Sequence, residues 1–329
     1  MKTKRLLLAG FLGLLTLCGA HSAHAGVIAF GSGANQFNMD FVPIGSPGNS
    51  PDTTGDPNPA GAVGYNFQMG TYEVSEDMIT KYNAAFGTAN SLVITKNTRG
   101  VDKPATSVSW NEAARFVNWL NTSSGGFAAY KFTTSGVNDS IELWTAADTL
   151  DYDPLNPFRS IRTNYVLPTI DEWYKAAYYN PLTSTYSDFP NGLNTAPTAV
   201  ASGTTAGTAV YGQPGARGPA SIYNAGGLSP FGVMGLGGNV WEWNETESDL
   251  VNNVGSSARV VRGSNWSGNS NLLSSSTRFD DNPAIEDDVV GFRVASLSST
   301  AVVPEPSSLA IFGVMCVSGL LYGGRRVRK

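Results

Sequence analysis

Cysteine and histidine are almost missing from this sequence. Among 329 residues there are two of each, Cys18, Cys316, His21 and His24, and all four lie within residues 1–25 or 303–329. The body between them has no thiol and no imidazole. That excludes a disulfide scaffold, zinc sites built on Cys or His, a Cys nucleophile, a Ser-His triad and haem ligation. Positive charge is also scarce: residues 26–302 carry 14 Lys and Arg against 25 Asp and Glu, a net of −11, with no basic run. Such a body does not suit nucleic acid or an anionic membrane as partner. It is compatible with calcium, and excess negative charge also keeps an exported protein soluble. What remains for chemistry is carboxylates, Lys, Arg, Tyr, hydroxyls and backbone, on a chain 41% apolar and long enough for one large domain.

The two ends read as addresses. Lys2, Lys4 and Arg5 precede an apolar run over 6–17, and Ala23-His24-Ala25 stands before Gly26. A basic start, an apolar stretch and a small-x-small site are the parts of a signal peptide. Residues 1–25 are therefore expected to engage the Sec translocon and to be removed by signal peptidase, taking Cys18 and both His with them. At the other end Pro304-Glu305-Pro306 is followed by an apolar stretch over 308–322 and then by Arg325, Arg326, Arg328 and Lys329. The stretch is shorter than the ~20 residues of a self-standing span, but its basic end obeys the positive-inside rule for an exported chain. This ordered set resembles the PEP-CTERM sorting signal of Gram-negative bacteria. The resemblance implies a transient inner-membrane anchor over 303–329, cleavage by an exosortase, and delivery to the cell surface or an exopolysaccharide matrix.

Within the body, residues 41–45 and 65–74 alternate as short strands, and 75–86 reads as a helix after a Ser N-cap, with Met78, Tyr82 and Ala85 at helical spacing. Two capping boxes announce further helices. Ser109 and Glu112 precede a stripe of Ala113, Phe116, Val117 and Leu120; Thr169 and Glu172 precede Trp173, Ala176 and Ala177. Residues 180–230 show no sustained period, yet Tyr186, Phe189, Tyr211 and Tyr223 punctuate them, which predicts an ordered layer of loops pinned to a core. No internal repeat or domain boundary stands out, so residues 26–302 are expected to form one domain.

The densest signals are Gly237-Gly-Asn-Val-Trp-Glu-Trp243, Arg262-Gly-Ser-Asn-Trp266 and Gly291-Phe-Arg293. On a strand Trp241 and Trp243 share one face and Glu242 takes the other. A carboxylate beside a Gly-rich turn with exposed carbonyls is what a hard cation such as calcium needs. Alternatively, Glu242 caps backbone N–H groups or pairs with an Arg. A dinucleotide loop is excluded, because the glycines at 235 and 237 lead into a strand. The acid pairs Asp280-Asp281 and Asp287-Asp288 read as solvated loop carboxylates rather than a catalytic dyad. Arg278 and Arg293 read as ion-pair and carbonyl-contact residues.

These stretches, with Gly70-Thr-Tyr-Glu-Val74, Pro104-Ala-Thr-Ser-Val-Ser-Trp110 and Leu167-Pro-Thr-Ile-Asp-Glu-Trp173 before them, resemble in order the formylglycine-generating enzyme or sulfatase-modifying-factor family. The resemblance spans about residues 37–297. It implies an α+β, C-type-lectin-like fold with short helices, short strands and much coil. It also implies a calcium site at Gly238, Val240 and Glu242, where a fourth ligand position is held by Gly235. A ligand face is implied around Asn265 and Trp266, with Arg278 on the same surface; Trp266 reads equally as an aromatic platform and as core. The family's copper-binding Cys pair falls on Gly268 and Leu273, and its iron-binding relatives use His. Neither thiolate nor imidazole is present, so no copper, iron or zinc is expected. The leading expectation is an exported, non-catalytic protein that binds a glycan or peptide. The alternatives are a residual oxidase of the formylglycine-generating type and a structural surface module without ligand.

Overall fold

The structure, a computed structural model, describes residues 26–297. The expected signal peptide, the Pro304-Glu305-Pro306 motif, the apolar stretch 308–322 and the Arg325/Arg326 cluster lie outside the described residues. Among the described residues, no helix is long and apolar enough to cross a membrane.

The chain is α+β with much coil. In order, the elements are strands β1 (Gly26–Phe30), β2 (Phe37–Ile44) and β3 (Phe67–Gly70), helices α1 (Glu76–Tyr82) and α2 (Trp110–Ser123), strand β4 (Tyr165–Val166) and helix α3 (Ile170–Tyr178). Two-residue strands β5 (Tyr179–Asn180), β6 (Thr185–Tyr186), β7 (Thr198–Ala199) and β8 (Thr208–Ala209) follow. Then come β9 (Trp241–Glu247), β10 (Arg259–Arg262), β11 (Phe279–Asp281), β12 (Val290–Gly291) and β13 (Ala295–Ser296). Two sheets organise them. One has the order β1-β2-β3-β13-β4, so the last strand inserts between early ones; the other has the order β11-β10-β9-β12.

Local chemistry explains the longer elements. Along β2, Phe37, Met39 and Phe41 are buried while Asn38 is exposed, the alternation of a strand with one face on the core. Both capping boxes form. In α2 the Glu112 amide donates to Ser109 Oγ at 3.1 Å and the Ser109 amide to Glu112 Oε2 at 2.9 Å. In α3 the Thr169 and Glu172 pair does the same. The α2 stripe is fully buried, and Phe116 meets Phe37 of the first sheet and Phe292 near its last strand. Helix α1 continues past Tyr82 as a wider, π-type helical turn over Asn83–Gly87, so the chain is helical through the expected stretch, with Met78 and Tyr82 buried and Ala85 exposed. The Asn83 side chain takes both backbone groups of Ile94, and Gly87 lies against Leu92.

Residues 180–230 are a layer of loops with two tiny ribbons, pinned by aromatic residues. Tyr186 donates to the Gly61 carbonyl and meets the rings of Tyr174 and Tyr179, Tyr211 donates to Pro197 O, and Tyr223 packs edge-on against Tyr72. Phe189 is half-buried. Replacing Ser109 by Ala removes the α2 cap and a hydrogen bond to Asn138. The expected loss is ~1–2 kcal/mol, read as a lower urea midpoint with an unchanged m value.

Candidate functional site

The turn that leads into β9 is a crossing point of the whole domain. Gly238 and Asn239 both hold positive φ, and a Cβ at 238 would lie 2.1 Å from Val210 O, so glycine is required there. The Asn239 side chain accepts from the Ala220 amide and donates to Glu73 Oε1, each at 2.8 Å. Three residues on, Glu242 is fully buried. Its Oε2 accepts from Arg293 Nε at 2.6 Å and from Trp173 Nε1 at 2.7 Å, and its Oε1 accepts from Arg293 Nη2. Arg293 also donates to the carbonyls of Gly70 and Met234, both at 2.9 Å. Burial alone would lower the Arg293 pKa, but the Glu242 carboxylate overrides it and holds the guanidinium charged.

Glu73 is the uneasy member of this cluster. Its Oε2 has no hydrogen-bond partner among the described residues. Burial pushes its pKa up to about 7; Arg293 opposes that and the Glu242 charge adds to it. Glu112 is likewise pushed up to about 7 by burial, against the backbone hydrogen bonds of the capping box.

The expected calcium site does not fit this geometry. Both oxygens of Glu242 are taken by a guanidinium and an indole, and Gly235 brings no side chain; the Glu73 carboxylate stands where a Cβ on Gly235 would point. Among the described residues no three His, Cys, Asp or Glu gather to hold a metal. Copper fits no better. Ser264 Oγ occupies the space that a side chain at Gly268 would need, and Leu273 is fully buried with its carbonyl accepting from Tyr178 Oη.

The expected ligand face at Asn265, Trp266 and Arg278 is not one surface. Trp266 is buried against Val210, Ala220 and Val240, donates to Gly215 O at 3.0 Å, and lies under the Arg99 guanidinium. Asn265 Oδ1 accepts from the amides of Ser267 and Gly268, a local turn. Arg278 sits elsewhere, on Asp56 Oδ1 and Ser248 O at 2.9 Å each. The loop over 211–217 covers Trp266, so its ring cannot act as a platform.

An open concavity lies in a place that the motifs did not mark. A cleft of about 730 Å³ lies between the first turn of α3, the end of β9 and the loops around Pro57 and Asn156. Three of its lining residues are anchored in a buried ion network: Arg159 pairs with Glu172 at 3.0 Å and Glu245 at 2.8 Å, Tyr65 Oη donates to Glu172, and Asn156 donates to Glu245. Burial would raise the Glu172 pKa, but Arg159 and the hydrogen bonds bring it below the ordinary carboxylate value. Asp171 on the wall is raised by burial and by Glu172, while the Gly61 amide donates to it. Leu155, almost fully exposed, forms the rim with Ile161 and Leu250. Volume, apolar rim and convergent amides are those of a small-ligand site. Glu172 was visible in the sequence as a helix cap. Its second role was not, because Arg159, Glu245 and Tyr65 meet it only through the fold.

The pH dependence follows from Glu73. Its folded pKa of about 7 exceeds the ordinary 4.5, so the folded state binds the proton more tightly, and this group's contribution to stability falls as pH rises from 4.5 through 7. Glu73→Gln should therefore gain stability relative to the native chain between pH 5 and pH 8, in paired thermal melts. A constant difference between the two proteins would contradict this.

The family model for the sulfatase-modifying factor enzyme 1-like domain matches residues 32–297. Among solved structures, the chain is similar to Treponema denticola variable protein 1 at 17% identity and a TM-score of 0.55, covering 83% of this chain and 99% of that one. It is similar also to CarF, at 17% identity and a TM-score of 0.56, covering 78% of this chain and 98% of that one. At such identity these likenesses speak for the fold alone. No curated protein sequence matches the chain. With most of its length matched by one model, the chain belongs to the sulfatase-modifying factor enzyme 1-like domain family.

Proposed function

We propose that this chain is an exported, non-catalytic binding protein that holds a glycan or peptide in the cleft beside α3. The observation that carries the reading is the state of the two expected thiol positions. Leu273 is sealed into the core and Gly268 faces a serine hydroxyl, so nothing there binds a soft metal or activates oxygen. A preserved scaffold without its redox ligands retains what a rigid fold with an open cleft can still do, which is recognition. The cleft combines apolar contacts from Leu155 and Leu250 with hydrogen-bonding groups from Asn156, Asn252 and Thr246, a mixture suited to the faces and edges of sugars or to an extended peptide. The terminal sequences support export: a Sec signal before Gly26, then a Pro304-Glu305-Pro306 sorting motif for an exosortase, and a destination at the surface or in an exopolysaccharide matrix.

Glycan and peptide screens with the full chain should find a ligand whose binding Leu155→Asp weakens at least tenfold while leaving the melting temperature unchanged, since Leu155 is almost fully exposed. Binding that survives this substitution would move the site away from the cleft, and silence in both screens would favour a structural module. Incubation with copper, oxygen and a Cys-x-Pro-x-Arg peptide should leave the peptide mass unchanged; conversion of its Cys would restore the oxidase reading.

A further inference from the structure

We propose that the corner between Tyr72 and Tyr223 binds a primary ammonium group, carried by a small amine or by a lysine side chain, at a site separate from the cleft beside α3. The inference does not rest on the reading of that cleft. The two rings stand 4.9 Å apart between centroids and at 75° to each other, and neither residue is fully buried, so they wall an open corner. Two cavities meet there. One is an open groove of about 580 Å³ whose lining includes Asp77 and Asp102. The other is a recess of about 10 Å³ lined by Asp40, Tyr72 and Glu73 among others. Asn38, Met78 and Tyr223 are walls of both.

Charge sets the sign of the ligand. Four acids line the two cavities against one base, Lys81, and that base is already taken by Asp77 at 2.7 Å. Burial raises the Tyr223 pKa, and the charges of Asp102, Asp40 and Asp77 raise it further, so three carboxylates bear on one ring. Among the described residues no three acids gather closely enough to hold a metal. Acids spread around two aromatic walls suit an organic cation instead, whose charge is drawn to ring faces as well as to carboxylates. Glu73 decides what enters the recess. It is 1% exposed, its Oε1 accepts from Asn239, and its Oε2 has no hydrogen-bond partner among the described residues. Arg293 is engaged by both oxygens of Glu242 and forms no ion pair with Glu73. A buried carboxylate oxygen without a donor is costly, and a recess of this size admits one water-sized group. A primary ammonium has that size and brings three donors; a trimethylated head is too large. The groove then receives the alkyl chain, with Met78 and Phe37 in its lining.

The test is calorimetric titration of the full chain at pH 8, above the value of about 7 to which burial pushes Glu73, with 1,5-diaminopentane, N-acetyl-lysine methylamide and choline. At least one of the two primary amines should bind saturably, and choline should bind more weakly by roughly tenfold. Binding of the lysine derivative assigns the site to a polypeptide side chain; binding of the diamine alone assigns it to a free amine. Glu73→Gln and Tyr223→Ala should each weaken the interaction by roughly tenfold. Tyr223 is 45% exposed, so its variant decides the matter if Glu73→Gln fails to fold. Leu155→Asp, in the cleft beside α3, should leave amine binding unchanged. The proposal is overturned if neither amine binds, which leaves the recess to water, or if choline binds as tightly as the primary amines. It is overturned equally by binding that survives loss of the Glu73 charge and of the Tyr223 ring, or that changes with Leu155→Asp.

Discussion

The structure depends on one buried ion pair, Glu242 with Arg293. Glu242 stands on β9 in the second sheet, and Arg293 lies between β12 and β13, where the chain crosses from that sheet to the first. The guanidinium also holds the carbonyls of Gly70 and Met234, and the carboxylate holds the α3 indole. Two sheets, a helix and the turn around Met234 are thus tied at a single point. Removing one partner from such a pair costs about 3–5 kcal/mol, because a bare charge is left inside. That amount is comparable to much of a domain's net stability.

The same device recurs wherever regular hydrogen bonding runs out. Arg159 joins Glu172 to Glu245, Arg259 lies between the rings of Trp110 and Phe158, and Arg262 faces Trp173, Tyr174 and Tyr178 while donating to three carbonyls. A chain with so much coil has many backbone carbonyls that no ladder satisfies, and each buried orphan is costly. Arginine answers this well, because a single fork reaches several acceptors and its flat face packs on aromatic rings. The scarcity of basic residues in the body makes the burial of these arginines more telling: they are spent inside, and the surface is left acidic.

The loss of redox ligands and the position of the cleft belong together. Trp266 and Asn265 were expected to face a ligand, yet the loop over 211–217 closes over the tryptophan, and Leu273 fills the core behind it. The cleft lies at the other end of β9, where Arg159 and Tyr65 in its lining are held by the buried Glu172 and Glu245. The cleft residues come from stretches as far apart as Pro57 and Leu297, which is why no local pattern announced them.

Local sequence determined much of this protein. Capping boxes at Ser109 and Thr169 and the alternation of β2 are governed by neighbours a few residues apart, and their physics is the same in any fold. That residues 26–302 hold no thiol and no imidazole needed no structure to be read. The tertiary structure alone decided which cation neutralises Glu242, whether Trp266 faces solvent, and where a cleft opens. Each of those depends on a group brought from far along the chain: Arg293 for Glu242, Gly215 for Trp266, and Arg159 for the cleft. Burial and charge are properties of the assembled surroundings, and a linear pattern carries only the near half of them.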